Sequence, residues 1–214
     1  MTQLEVIGSE NKDWFYTEKV KDHFFHPRNI FKTEQEVKEF NADGVGLVGS
    51  PACGDGMKMF IKGEDDKIKA IRWQTYGCGT AIASTSAYSV MLLEDGGLSI
   101  ENALKIKPKD IADYLGGVPA RKFHCSVLAD KALREAVNDY FKKSGQEDRI
   151  VEGSAKIIDK ILKITDHDIE HAVLEGAYDF EAVQRKTKVG IHDKACIPEV
   201  ERLIVVYKEK YFGD

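Results

Sequence analysis

No stretch of this 214-residue chain approaches the roughly 20 apolar residues that a membrane-crossing helix needs. Even Arg202-Leu203-Ile204-Val205-Val206-Tyr207 is short and flanked by charge. The start, Met1-Thr2-Gln3-Leu4-Glu5, lacks the basic residues and apolar core of an export signal, so the expected location is the cytoplasm, with no membrane partner. An excess of positive charge is missing too. Thirty-one Lys and Arg face 36 Asp and Glu, a formal net charge of −5, which argues against a nucleic-acid partner. Cysteine is scarce: Cys53, Cys78, Cys125 and Cys196 lie far apart, so no disulfide framework is expected, and no two of them have C-x-x-C spacing. No internal repeat is present. What remains, 43% hydrophobic and 31% charged residues, is ordinary globular composition at a length for one common-sized domain or two small ones.

Local patterns divide the chain. Thr17 is placed to cap a helix with Val20 and Phe24 on one apolar face, ended by His26-Pro27-Arg28-Asn29. After a polar linker, Met57 to Lys62 and Lys67 to Thr75 read as strands joined by a turn at Gly63-Glu64-Asp65-Asp66. Gly77-Cys78-Gly79 leads into a buried helix from Thr80 to Leu93, stopped by Gly96-Gly97, and Pro108 opens another through Leu115. From Cys125, the residues Leu128, Ala132, Leu133, Ala136, Val137 and Tyr140 share one helical face. The polar run from Lys143 to Asp148 marks a domain boundary, and the remainder suits a small helical module. In it, Thr165-Asp166-His167-Asp168 resembles a capping box, Gly176 a helix stop and Pro198 the first turn of a final helix.

Chemistry concentrates around three thiols. Cys53 sits in Gly49-Ser50-Pro51-Ala52-Cys53-Gly54-Asp55-Gly56, too rich in glycine and proline for regular structure, with Asp55 in the same loop. Cys78 lies between a strand end and a helix start, where free N–H groups and the helix dipole favour a thiolate. Cys125 begins a helix directly after His124. Thiolate, imidazole and carboxylate from separate loops suit one zinc or iron–sulfur centre if they converge, and unrelated thiols if they do not. A thiol enzyme using Cys125 with His124 as base is a third reading, weakened because adjacent residues seldom align as nucleophile and base and no orienting third group is evident.

The segments Tyr16 to Val20, His26-Pro27-Arg28-Asn29, Gly49 to Asp55, Thr75 to Ser84 and Lys122-Phe123-His124-Cys125-Ser126 together resemble, in order, the IscU/NifU iron–sulfur scaffold family. The resemblance implies an α+β fold of the IscU/SufE-like kind, a small three-stranded antiparallel sheet packed with helices, over residues 14–145. It implies cluster ligands at Cys53, Asp55, Cys78, His124 and Cys125, with Cys125 and Cys78 as sulfur acceptors. The implied role is a scaffold, not an enzyme. It takes sulfur from a cysteine desulfurase, and iron, builds a transient, labile 2Fe-2S cluster and passes it to recipient apo-iron–sulfur proteins. A homodimer is compatible with this role. Zinc could occupy the same ligands, and a structural zinc-binding domain is the alternative function. Leu115-Gly116-Gly117-Val118-Pro119 looks closer to the NifU branch, and Val118-Pro119-Ala120-Arg121-Lys122 departs from the Leu-Pro-Pro-Val-Lys motif that a dedicated chaperone reads in the IscU branch.

The tail, residues 155–214, resembles the small helical ferredoxin-like domain in the middle of NifU proteins, which holds a permanent 2Fe-2S cluster through four cysteines. Those positions are Asp159, Ile161, Asp193 and Cys196 here, so the resemblance implies a degenerate module without a cluster. Ile161 cannot bind metal and carboxylates match reduced iron–sulfur cores poorly. Cys196 is then a relic or core thiol. A different metal site at Asp159, His192, Asp193 and Cys196 is the alternative. The third domain of full NifU proteins is not found before Asp214, which reads as a shortened variant.

Overall fold

The computed structural model describes residues 16–50, 55–119, 122–150 and 156–212. The chain opens with α1 (Glu18–Phe25), whose N-cap Thr17 accepts from the Val20 amide, and α2 (Glu34–Phe40), capped in the same way by Thr33. Three antiparallel strands follow in the order β1 (Gly44–Ser50), β2 (Asp55–Glu64) and β3 (Lys67–Tyr76). The β2–β3 turn is tighter than the sequence suggests, because Glu64 pairs with Lys67 and only Asp65 and Asp66 form the loop. Both take left-handed backbone, φ 51° and 59°, as a two-residue hairpin turn requires for strands with right-handed twist.

Met57, Met59 and Ile61 alternate on the inner face of β2 and meet Ile68, Ile71 and Trp73 from β3, all with no exposed surface. The long helix α6 (His124–Lys143) covers them with Leu128, Ala132, Leu133, Ala136 and Val137, the face expected from spacing, and Tyr140 packs half-buried beside it. The closest approach is backbone to backbone. A Cβ on Gly46 would lie 2.1 Å from the Ala132 carbonyl oxygen and 2.5 Å from the Ala136 nitrogen, and one on Gly44 would lie 2.2 Å from the Ala136 carbonyl oxygen. Strand β1 is glycine-rich so that α6 can lie directly on it.

The core helix α3 (Gly79–Leu92) is buried on nearly every side between α1 and α6, and it achieves this with small residues and satisfied hydroxyls. Ser84 Oγ meets Ser126 Oγ at 3.2 Å, Thr85 donates to the Ala81 carbonyl at 2.8 Å, and Ser86 Oγ pairs with His23 Nδ1 at 2.8 Å. Short helices α4 (Ile100–Lys105) and α5 (Pro108–Tyr114) complete this layer.

A second core lies in the C-terminal part. It is built from Ile158, Ile169, Val173, Val183, Val189, Val200, Leu203 and Ile204, on α7 (Asp166–Leu174), α8 (Phe180–Thr187), α9 (Ile197–Phe212) and the segments between them. The Thr165–Asp168 capping box forms as expected. The module is not purely helical. A two-stranded antiparallel ribbon, β4 (Ile157–Asp159) with β5 (Ile164–Thr165), precedes α7. No helix among the described residues is long and apolar enough to cross a membrane.

Candidate cluster-assembly site

Strand β3 ends at Tyr76 and α3 starts at Gly79, so Cys78 is the N-cap of a buried helix and its sulfur faces the first-turn amides. Cys125 is in the first turn of α6 and fully buried. Two helix starts thus bring two thiols together, with the sulfurs 3.5 Å apart. The Cys125 hydrogen bond is the largest cause that holds the Cys78 thiol down to about 5. Burial opposes it, and the Ala81 and Thr80 amides and the Lys122 charge assist. Cys78 is therefore a thiolate at neutral pH, and it is partly exposed where Cys125 is not. Two sulfurs at about 2.3 Å from one tetrahedral ion lie about 3.8 Å apart. The pair is spaced to share a metal ion with a shift of a few tenths of an ångström.

Of the other residues expected at this site, Cys53 lies outside the described residues. Asp55 is the first residue of β2, and the register pairs its neighbour Gly56 with Tyr76, two residues before Cys78. The backbone therefore brings the Asp55 and Cys78 segments to one end of the sheet. His124, beside Cys125 in sequence, is buried with its ring against His171 of α7, the centroids 5.3 Å apart.

Spacing along the sequence did not single out His171, Glu175 or Glu170. Burial pushes the His171 imidazole below its ordinary range, opposed by the Glu175 charge. Glu170 is the anchor of the seam between α6 and the tail. It pairs with Lys131 from α6 and with Lys210 at 3.0 Å, and it accepts from the Tyr211 hydroxyl at 2.5 Å. Burial resists its charge, but the two lysines overcome that and hold its carboxyl at about 2. Phe123 adds ring contacts to Tyr211 and Phe212, at 6.2 and 5.9 Å. An i, i+4 His171–Glu175 pair was the one signal available in the sequence.

In the tail, Asp159 is fully buried and its carboxylate accepts from the amides of Ile161 at 2.9 Å, Leu162 at 2.8 Å and Gly190 at 3.0 Å. Burial works against its charge, yet these amides keep its carboxyl below the usual range. Asp193 accepts from the Lys160 amide at 3.1 Å, and the Cys196 thiol donates to the Asp193 carbonyl at 3.0 Å. Ile161 is 58% exposed. Burial and the two aspartates push the Cys196 thiol up, away from the thiolate form.

The chain that builds this thiol pair is similar to known proteins. The family described as "NifU-like N terminal domain" matches residues 15–147. This chain belongs to that family. Iron-sulfur cluster assembly scaffold protein IscU 1 of Archaeoglobus fulgidus is 48% identical over 149 residues, covering 69% of this chain and 92% of that protein. Nitrogen fixation protein NifU of a Nostoc species is 36% identical over 200 residues, which is 92% of this chain and 65% of that protein. The NifU alignment is longer than residues 15–147 and so takes in part of the tail. A crystal structure of a nitrogen-fixing NifU-like protein (N-terminal) from Brucella abortus is similar at a TM-score of 0.44 and 15% identity, covering 60% of this chain and 95% of that one.

Proposed function

We propose that the chain is a scaffold on which a labile 2Fe-2S cluster is built from iron and desulfurase-derived sulfur and then released to apo-iron–sulfur proteins in the cytoplasm. The scaffold occupies residues 14–145. The observation that carries this reading is the Cys78–Cys125 pair, one sulfur a partly exposed thiolate and the other 3.5 Å behind it. Cys53, Asp55 and His124 complete the ligand set in this reading, and the cluster is cargo rather than a resident group. A carboxylate and an imidazole among the ligands bind a sulfide core less firmly than four thiolates would, and that favours release. No finding favours the structural zinc domain.

The two thiols also suggest an order of sulfur delivery. A desulfurase persulfide reaches the partly exposed Cys78 first, because thiol exchange needs an accessible thiolate. Cys125 then attacks the outer sulfur of the Cys78 persulfide. A new S–S bond forms on Cys125 as the one on Cys78 breaks, Cys78 leaves as a thiolate, and the Cys125 thiol proton passes to the terminal sulfur of the new persulfide. No electrons are gained or lost overall.

The tail, residues 155–214, is in this reading a ferredoxin-like module that carries no cluster. Asp159 fills a former ligand position by tying the 161–162 and 190 backbones together through hydrogen bonds. The test is transfer. Protein loaded anaerobically with iron and sulfide should pass its cluster to an apo-ferredoxin within minutes and lose it to a chelator. A cluster retained against both would mean a permanent electron carrier and would overturn the scaffold reading.

A further inference from the structure

The seam between α6 and α7 carries a second group of ligand-bearing side chains. His171 and Glu175 stand four residues apart and so share one face of α7 and its cap, with Glu175 Oε1 3.9 Å from His171 Nδ1. His124 comes to meet them from the start of α6. One ligand atom from each of the three lies within 4.8 Å of the others. His124 is buried, and the His171 and Glu175 side chains are only 17% and 20% exposed. The carboxylate is already oriented, because Lys186 donates to Glu175 Oε2 at 2.7 Å and leaves Oε1 toward the imidazoles.

We propose that His124, His171 and Glu175 bind one divalent transition-metal ion of the Zn²⁺ or Fe²⁺ class. The N-terminal scaffold supplies one ligand to it and the tail two. Two imidazoles and a carboxylate are the donors these borderline ions take, and three protein ligands leave coordination positions open. Donors at about 2.0–2.2 Å from a common ion sit about 3.0–3.6 Å apart. Closure around an ion therefore needs a contraction of up to roughly 1–2 Å, within the reach of side-chain rotation on α7. The seam that holds α7 in place is already built by Glu170 with Lys131, Lys210 and Tyr211. A bound ion would add a coordinate link between the tail and the first residue of α6, next to Cys125. This site needs no thiol, and it shares His124 with the ligand set of the scaffold reading, so that imidazole serves one site at a time.

The experiment is a Co²⁺ titration of the full-length, metal-stripped protein, with neither sulfide nor desulfurase present. Cobalt reports a nitrogen–oxygen site by its visible absorption, and thiolate ligation by added near-ultraviolet charge transfer. Because the cysteine site of native protein also takes cobalt and shows a thiolate band, the result is read in Cys53→Ser/Cys78→Ser/Cys125→Ser: one ion per chain with the visible bands and no thiolate band. Its affinity should fall at least tenfold in both His171→Ala and Glu175→Gln, as losing a ligand costs no less than losing an outer-sphere partner. Unchanged affinity in Glu175→Gln, which is isosteric and keeps the helix intact, would overturn the proposal. So would the absence of a bound ion in the triple serine variant, or a signal retained when His171→Asn is added to it. Cluster assembly plays no part in the readout, so a failure here leaves the scaffold reading standing.

Discussion

Replacing Cys125 with alanine should change the pH at which Cys78 reacts far more than its rate at pH 7. The Cys125 thiol is the largest of the groups that hold Cys78 at about 5, against an ordinary 9.0. At pH 7 a thiol at about 5 is roughly 99% ionised and one at about 9 roughly 1%, about a hundredfold difference. Nucleophilicity per thiolate falls with basicity at a Brønsted slope of about 0.4–0.5, so four units take back about 40- to 100-fold. The two effects nearly cancel at neutral pH, and the profile is the discriminating observable. In metal-free protein, iodoacetamide labelling of the Cys78 peptide, followed by mass spectrometry from pH 4.5 to 9.5, should level off above about pH 6. In Cys125→Ala the midpoint moves up and the rate climbs through pH 6 to 8, while Cys125→Ser, which keeps a hydroxyl donor, stays near the native profile. A native rate that rises tenfold per pH unit between 6 and 8, or an identical midpoint in the alanine variant, would refute the reasoning. The same ionisation stabilises the fold. Because the folded value is depressed, the contribution is complete above about pH 9, shrinks as pH falls and is gone below about 5. It amounts to about 2 kcal/mol at pH 7 after allowance for the partial exposure of Cys78.

Three further outcomes follow from packing and charge. Gly46→Ala drives a methyl into the α6 backbone and should cost about 3 kcal/mol or more in urea unfolding, with a loss under about 1 kcal/mol showing that α6 can lift away. Asp159→Ala strands the buried Gly190 amide at about 1–3 kcal/mol before relaxation, and releases the part-buried Ile161 and Leu162 amides at a smaller cost. Hydrogen exchange should accelerate at Ile161, Leu162 and Gly190 while the sheet stays protected, and unchanged exchange there would contradict the bridging role. Glu170, held at about 2, contributes stability above its unfolded range near 4.5 that is lost as pH falls toward 2. Glu170→Gln should flatten the acid limb of the thermal unfolding curve between those values, and an unchanged limb would remove Glu170 as the seam's anchor.

The sequence disclosed this fold wherever the signal was local. The Thr17 cap, the Thr165–Asp168 capping box, Pro108 at a helix start and the apolar face of α6 each depend on residues within one or two turns, and all form as expected. Strand β1 was legible only through family resemblance, because its glycines answer to α6, some ninety residues away, and by themselves read as linker. The helices α2 and α4 leave no apolar period in the sequence, because α2 buries none of its residues and α4 only two. The β4–β5 ribbon is too short to show a period. At the site, the helix starts at Cys78 and Cys125 were visible, but the 3.5 Å between their sulfurs arises from long-range packing of α3 on α6. His171 and Glu175 carried only an i, i+4 spacing common to any surface helix, and what makes them notable is that α7 packs on His124.

The measurement closest to the central claim is iron and acid-labile sulfide per chain after anaerobic assembly with a cysteine desulfurase, made side by side on native protein, Cys78→Ser and Cys196→Ser. The account predicts equal, chelator-labile loading in native protein and Cys196→Ser, and none that survives desalting in Cys78→Ser. Loading that persists in Cys78→Ser and drops in Cys196→Ser would place the cluster in the tail and contradict the account.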